Sequence, residues 1–310
     1  MKLSQLNPLH RTMALTLVAL STATLSQAAV STGGIPDPFQ STATPYGLNP
    51  ISPVMEAGST AASQNFDNTV LPSALQFIQS ALPEGQNNTA SKAFQIDPSK
   101  LVMTTTHDVT ATFIYEGASY HNSIGLTTVA PGQSQPQSTW DEVTAPTAGL
   151  VFPDASSTSS GYPDGGSVYG TRTASQPVLP GDFTDLGTIK QGTGLDFFLL
   201  SNGANNSWAN VFSTQESLNQ DGFYQHVAEF SPSLFAVPQL NSPYIFLSFE
   251  DLWGGGDKDV NDTIIAINIG AANVKALLAT PEPAMPLTFT ACLGLALFAV
   301  RKNRQAAATV

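Results

Sequence analysis

The chain has a single cysteine in 310 residues, Cys292, and it lies in an apolar run near the C-terminus. A disulfide framework is therefore excluded for the rest of the chain. Basic side chains are scarce as well: eleven Lys and Arg stand against twenty-three Asp and Glu, a formal net charge of −12 at pH 7. Between Ala29 and Thr280 the imbalance is steeper. Six basic residues (Lys92, Lys100, Arg172, Lys190, Lys258 and Lys275) face twenty-two acidic ones, a charge near −16. That charge excludes nucleic acid and a direct grip on anionic lipid, but it suits cations, or anionic polymers bridged by cations. Several enzyme signatures are missing too. There is no His-Glu-x-x-His, Gly165-Gly166-Ser167-Val168-Tyr169-Gly170 misses the Gly-x-Ser-x-Gly elbow by one residue, and His107, His121 and His226 are scattered singly. The carboxylate neighbours Asp141/Glu142 and Asp182/Asp185 offer acid/base groups, but only their separation in space would define a glycosidase pair. No catalytic residue is assigned.

The unusual chemistry is concentrated in one stretch, Phe249-Glu250-Asp251-Leu252-Trp253-Gly254-Gly255-Gly256-Asp257-Lys258-Asp259-Val260-Asn261-Asp262, with five carboxylates and one carboxamide in a Gly-rich turn. Carboxylates this close repel one another, and a hard divalent cation with oxygen ligands stabilises their joint ionisation, calcium being the first choice. Asp257, Asp259 and Asn261 alternate, so an extended segment would put them on one face. Gly254, Gly255 and Gly256 let the backbone bend around an ion. An EF-hand is excluded, because Asp262 stands where its loop needs Gly and Asn268 where it needs a bidentate Glu. The flanks Phe246-Leu247-Ser248-Phe249 and Thr263 to Ile269 also read as strands rather than helices. The expected site is thus a strand-turn-strand calcium site built from Asp257, Asp259, Asn261 and Asp262, with Glu250 or Asp251 completing the set. The alternative is a solvated acidic hairpin whose Asp, Asn and Gly serve turn geometry alone.

Both ends read as addresses. Lys2, His10 and Arg11 precede the apolar run Met13 to Leu25, and Ser26-Gln27-Ala28 places small residues where a signal peptidase cuts, so residues 1–28 are expected to be a secretory signal. At the other end, the uncharged segment Ala284 to Val300 reaches the lower length for a membrane-spanning helix, and Arg301-Lys302-Asn303-Arg304 follows it as a cytoplasmic anchor. Between the ends, the Pro-, Gly-, Ser- and Thr-rich stretch over residues 29–63 reads as a flexible spacer. Leu71, Leu75, Ile78 and Leu82 share one helical face, so a short helix is expected there, with Pro72 near its start and Pro83 ending it. Strands are expected at Leu101 to Thr105, Val109 to Tyr115, Ser123 to Val129, Asp196 to Ser201, Val211 to Ser213, Phe223 to Phe230, Tyr244 to Phe249 and Thr263 to Ile269. Pro131 to Gly166 reads as a surface excursion. The expected fold is all-β, an antiparallel β-sandwich or jelly roll with one short helix, over residues 64–275.

Phe-Glu-Asp, a Gly-rich spacer, Asp-x-Asp-x-Asn-Asp and a hydrophobic strand together resemble the end of the bacterial domain of unknown function 4114. Leu82-Pro83-Glu84-Gly85, Phe113 to Gly125, Leu179-Pro180-Gly181-Asp182 and Gly194-Leu195-Asp196-Phe197-Phe198-Leu199 are similar to that family's earlier blocks, in its order, so the resemblance runs from about Asn65 to Ile269. It implies a secreted or surface β-sandwich with calcium binding, and it carries no implication about an activity. Val260 departs from the aromatic common at its position. Pro281-Glu282-Pro283, the apolar segment and the basic cluster, over residues 281–304, resemble the PEP-CTERM sorting signal of Gram-negative bacteria that make exopolysaccharide; Gln305 to Val310 trail beyond it. That resemblance implies transient anchoring in the inner membrane and processing by an exosortase after a signal peptidase. Three functions stay open: a calcium-binding structural or adhesive component of the cell surface or exopolysaccharide matrix, a carbohydrate-binding module whose Trp140, Trp208 and Trp253 stack on sugar rings, and a polysaccharide hydrolase. Glu116 and His121 are a minor candidate for a second site.

Overall fold

Alternation along the strands sorts their side chains into three apolar interiors. In the computed structural model, residues 41–83, 85, 101–157, 172–221, 227–230 and 242–279 are described. They form strands β1 (Val54–Met55), β2 (His107–Glu116), β3 (Ser123–Val129), β4 (Gly149–Phe152), β5 (Phe183–Ile189), β6 (Gly194–Leu200), β7 (Val211–Ser213), β8 (Val227–Phe230), β9 (Tyr244–Phe249) and β10 (Thr263–Asn268). Four α-helices accompany them: α1 (Ala61–Thr69), α2 (Leu71–Ala81), α3 (Thr139–Thr144) and α4 (Ala271–Ala279). One sheet has six strands in the order β1-β5-β2-β10-β9-β8, the other four in the order β4-β3-β6-β7. Every ladder is antiparallel, so the all-β reading holds.

The sheets meet face to face. Ile265 and Ile267 of β10 and Leu247 of β9 share one interior with Ile124 of β3 and Phe197 and Leu199 of β6. The residues between them, Ile264, Ala266 and Phe246, turn to the other face and pack under Phe66, Leu75 and Ile78 of the α1–α2 pair. On the outer face of the small sheet, Phe198 and Leu200 pack against Leu48, Val143 and Ala209. Both sheets are therefore covered on both faces. This is why Phe197-Phe198-Leu199-Leu200 and Ile264-Ile265 read as unbroken apolar runs rather than as polar alternation.

Several expectations are corrected. Helix α2 lies where the apolar stripe placed a helix, but α1, α3 and α4 join it. Helix α1 is mostly polar, and Phe66 supplies its buried apolar contact. Its start is set by a capping box, in which the Thr60 hydroxyl accepts from Ser63 N and the Ser63 hydroxyl accepts from Thr60 N, both at 3.1 Å. Thr60→Ala is expected to lower stability by about 1 kcal/mol, read as a shifted urea midpoint at unchanged slope.

The described part of the expected spacer is instead built into the body. Leu48, Val54 and Met55 are buried, Val54 and Met55 pair with Thr184 and Phe183, and Ile51 N donates to Leu150 O at 2.8 Å. Backbone hydrogen bonds to two sheet edges, not side-chain pattern, order this stretch. The expected surface excursion is corrected in the same way over 139–157, where α3 and the fully buried β4 lie. Leu101 to Thr105 has only a single bridge, Val102 to Gly194, rather than a strand. Strand β5 was hidden in the sequence by Asp185 and Gly187; Gly187 has φ +77° beside the register shift opposite Val109. The body also continues past residue 275, because Asn273 ties α4 down: its Oδ1 accepts from Thr104 N and Thr105 N, each at 2.8 Å. Among the described residues no helix is long and apolar enough to cross a membrane. The expected signal over 1–28 and the tail over 281–304 lie outside the described residues.

Candidate metal centre

Strands β9 and β10 are hydrogen-bonded neighbours, with Phe249 opposite Thr263 at the open end of the ladder, so residues 250–262 form the loop of a hairpin. The loop is not extended. Lys258 and Val260 have φ of +67° and +52°, and Gly254, Gly255 and Gly256 have φ of +79°, +81° and +44°. These left-handed residues, rather than strand alternation, aim the acidic side chains. A β-carbon at position 256 would also meet Glu250 Oε1, so a larger residue there would displace that carboxylate.

Glu250, Asp257 and Asp259 each turn one carboxylate oxygen to a common point, with those oxygens all within 4.8 Å of one another. Calcium holds oxygens at 2.3–2.6 Å, so ligands on opposite sides of one ion stand about 4.8 Å apart, and the cluster fits that ion. Glu250 and Asp259 are buried and Asp257 is exposed. Asp259 is fixed by two backbone donors, Gly85 N to Oδ2 at 2.8 Å and Asn261 N to Oδ1 at 3.1 Å. Asn261 turns its amide to the end of α2, where Nδ2 donates to Leu82 O at 2.9 Å, and leaves its buried Oδ1 with no hydrogen-bond partner among the described residues.

Asp251 and Asp262 form a second pair beside the cluster. Asp262 Oδ2 accepts from Asp251 N at 2.7 Å, and Asp251 Oδ2 accepts from Asn122 Nδ2 at 2.8 Å. With Glu250 and Asp257 they line a cavity of about 430 Å³ whose far wall is Gly117 to Tyr120. Burial pushes the Glu250 carboxyl up to about 8, and neighbouring Asp257, Asp259 and Asp251 add to the shift. Burial, then Asp251 and Glu250, push Asp262 up to about 9. Such carboxyls stay protonated near neutrality unless a cation replaces the protons.

The hairpin that carries this cluster lies within a segment that matches a family model. Residues 189–270 match the family model described as Domain of unknown function (DUF4114). No curated protein and no solved structure matches the chain. The DUF4114 match takes in β6 to β10 and the whole acidic loop. The blocks between Leu82 and Asp182 lie outside it, yet Gly85, Leu82 and Asn122 hold side chains of the matched segment in place. Local pattern does not reveal these three contacts, because each joins the loop to a residue more than a hundred positions away.

The minor candidates lie apart from the cluster or are held by other groups. His121 Nδ1 meets Asp154 Oδ2 at 3.1 Å, and His107 Nε2 meets Asn268 Oδ1 at 3.0 Å. Glu116 accepts from Ser157 N at 2.8 Å, and burial, aided by Asp154 and Asp251, pushes its carboxyl up to about 8. Asp141 is exposed while Glu142 is buried against Ser213 and Asp196. Asp182 is buried on Arg172 while Asp185 is exposed and accepts from Gly187 N. Neither sequence pair therefore faces a shared substrate position.

Proposed function

We propose that this protein is an exported calcium-binding β-sandwich that serves as a structural or adhesive component of the cell surface or exopolysaccharide matrix. The observation that carries the reading is the convergence of Glu250, Asp257 and Asp259 oxygens within 4.8 Å on a loop held by both β9 and β10. The unpartnered Asn261 Oδ1 supports it as a further oxygen ligand in reserve, and Asp251 and Asp262 supply negative charge at the same cavity. An ion there would join the hairpin loop to the end of α2, because Asp259 and Asn261 already bond Gly85 and Leu82. The ion's contribution is therefore to hold two elements together rather than to activate a water.

Export rests on the two terminal segments. A signal peptidase would remove residues 1–28, and the tail over 281–304 would anchor the chain in the inner membrane until an exosortase cuts it. The abundance of calcium outside the cell suits weak sites of about 10⁻⁴ to 10⁻³ M.

Calorimetric titration of the full chain with calcium tests the metal reading. Saturable binding in that range is expected for the wild type, and none for Asp257→Ala or Asp259→Ala. Titration curves alike for all three proteins would overturn it.

A further inference from the structure

Three tryptophans far apart in the sequence meet at one surface cavity of about 250 Å³. Trp140 comes from α3, Trp208 from the β6–β7 loop and Trp253 from the acidic hairpin loop, and all three are exposed, at 55, 69 and 57 % of their surface. The indoles of Trp140 and Trp208 lie within 15° of parallel, with centroids 6.3 Å apart. Tyr46 stands edge-on to both, at 6.0 and 5.3 Å, and its hydroxyl donates to Ala209 O at 2.6 Å. The Tyr46 backbone is tied to the same loop through its N–H and Ser207 O at 3.0 Å. The two rings are thus fixed before any ligand arrives, so ordering them costs a ligand little.

Aromatic surface left in water at a preformed concave site marks a place where something else supplies the apolar cover. We propose that this cavity is a saccharide-binding site, in which Trp140 and Trp208 stack on the C–H faces of neutral sugar rings. The chemistry of the rim selects that class of ligand. Thr139, Asn210 and Gln220 line the cavity, and their hydroxyl and amide groups both donate and accept, as sugar hydroxyls do. Among the described residues no basic side chain lines it, which disfavours stacked nucleic acid bases with their phosphates. A proline-rich peptide presents carbonyl acceptors and few N–H donors, so it would leave the accepting groups of Thr139, Asn210 and Gln220 unmatched. The site goes beyond the metal reading and stands whether or not the loop holds an ion, because Trp140, Trp208 and Tyr46 are positioned by other elements.

The test is tryptophan fluorescence and calorimetry on the full chain with cellohexaose, xylohexaose, mannohexaose and maltohexaose, with a proline decapeptide as comparator. Runs with calcium and with chelator separate this site from the metal reading. At least one hexasaccharide is expected to shift the emission saturably. Trp208→Ala and Trp140→Ala should each weaken that binding about tenfold or more, as loss of an aromatic anchor does. Their melting temperatures should stay near wild type, because both indoles are exposed. Leu252→Ala, on the acidic loop but outside the cavity, should bind as wild type. Absence of a saturable shift with any hexasaccharide at millimolar concentration, unchanged binding in both tryptophan variants, or tighter binding of the decapeptide would each overturn the proposal.

Discussion

Arg172→Met is expected to remove about 3–5 kcal/mol of stability, because it strands a carboxylate in the interior. Asp182 is fully buried, and the Arg172 guanidinium grips it as a fork: NH1 donates to Oδ2 and NH2 to Oδ1, the latter at 2.6 Å. Two backbone donors complete its shell, Leu179 N at 2.7 Å and Ala57 N at 3.0 Å. One side chain thus joins β1's flank, the turn before β5 and the segment carrying Arg172. Burial raises the Asp182 carboxyl, and Arg172 works against that rise. Without the guanidinium the carboxyl would rise further, so the variant should also lose stability more steeply with increasing pH. Urea melts at fixed calcium measure both effects. The double variant Arg172→Met/Asp182→Asn should recover part of the loss, since it removes the stranded charge as well as its partner. A single variant within 1 kcal/mol of wild type would show that the pair carries no such weight.

The second large effect is a loss of stability with rising pH that calcium should offset. In chelator, stability should fall as pH rises from about 5 to about 9, because Glu116 and Glu250 are raised to about 8 and Asp262 to about 9. Between a carboxyl's ordinary value and its raised folded value, the folded chain holds a proton that the unfolded chain has released. Stability then falls with pH, by at most about 1.4 kcal/mol per pH unit for each such proton. Calcium prefers the ionised oxygens, so its affinity should climb through the same window, and each ion bound should release protons. With the ion a hundredfold above its dissociation constant, the gain is about 2.7 kcal/mol. Thermal melts across pH, paired with titrations in buffers of different ionisation enthalpy, measure it. A calcium response that is flat with pH and releases no protons would contradict the assignment.

Much of the fold was legible where apolar pattern carries the information. Strands β3, β7 and β9 fall at the boundaries that alternation and turn residues set, and α2 follows its Leu71, Leu75 and Ile78 stripe. The parts that were not legible are held by backbone or by single polar contacts. Residues 45–55 lean on sheet edges through main-chain bonds, β5 carries a left-handed Gly187 in its middle, and α1 depends on one cap and one phenylalanine. At the site, composition singles out the loop in which three carboxylates converge but not its geometry. Alternation grouped Asp257 and Asp259 with Asn261, whereas left-handed Lys258 and Val260 bring Glu250 to those aspartates and turn the Asn261 amide toward α2. The aromatic cavity needed three distant tryptophans and Tyr46, and the last stood in a stretch that read as spacer.

Strand β2 lies between β5 and β10, although neither it nor α2 falls within residues 189–270. A graft of the matched segment into another protein would leave β10 with one side of its ladder open, and the Asp259 and Asn261 side chains without the Gly85 and Leu82 groups that seat them. The segment that matches the family model is therefore shorter than what must fold as one.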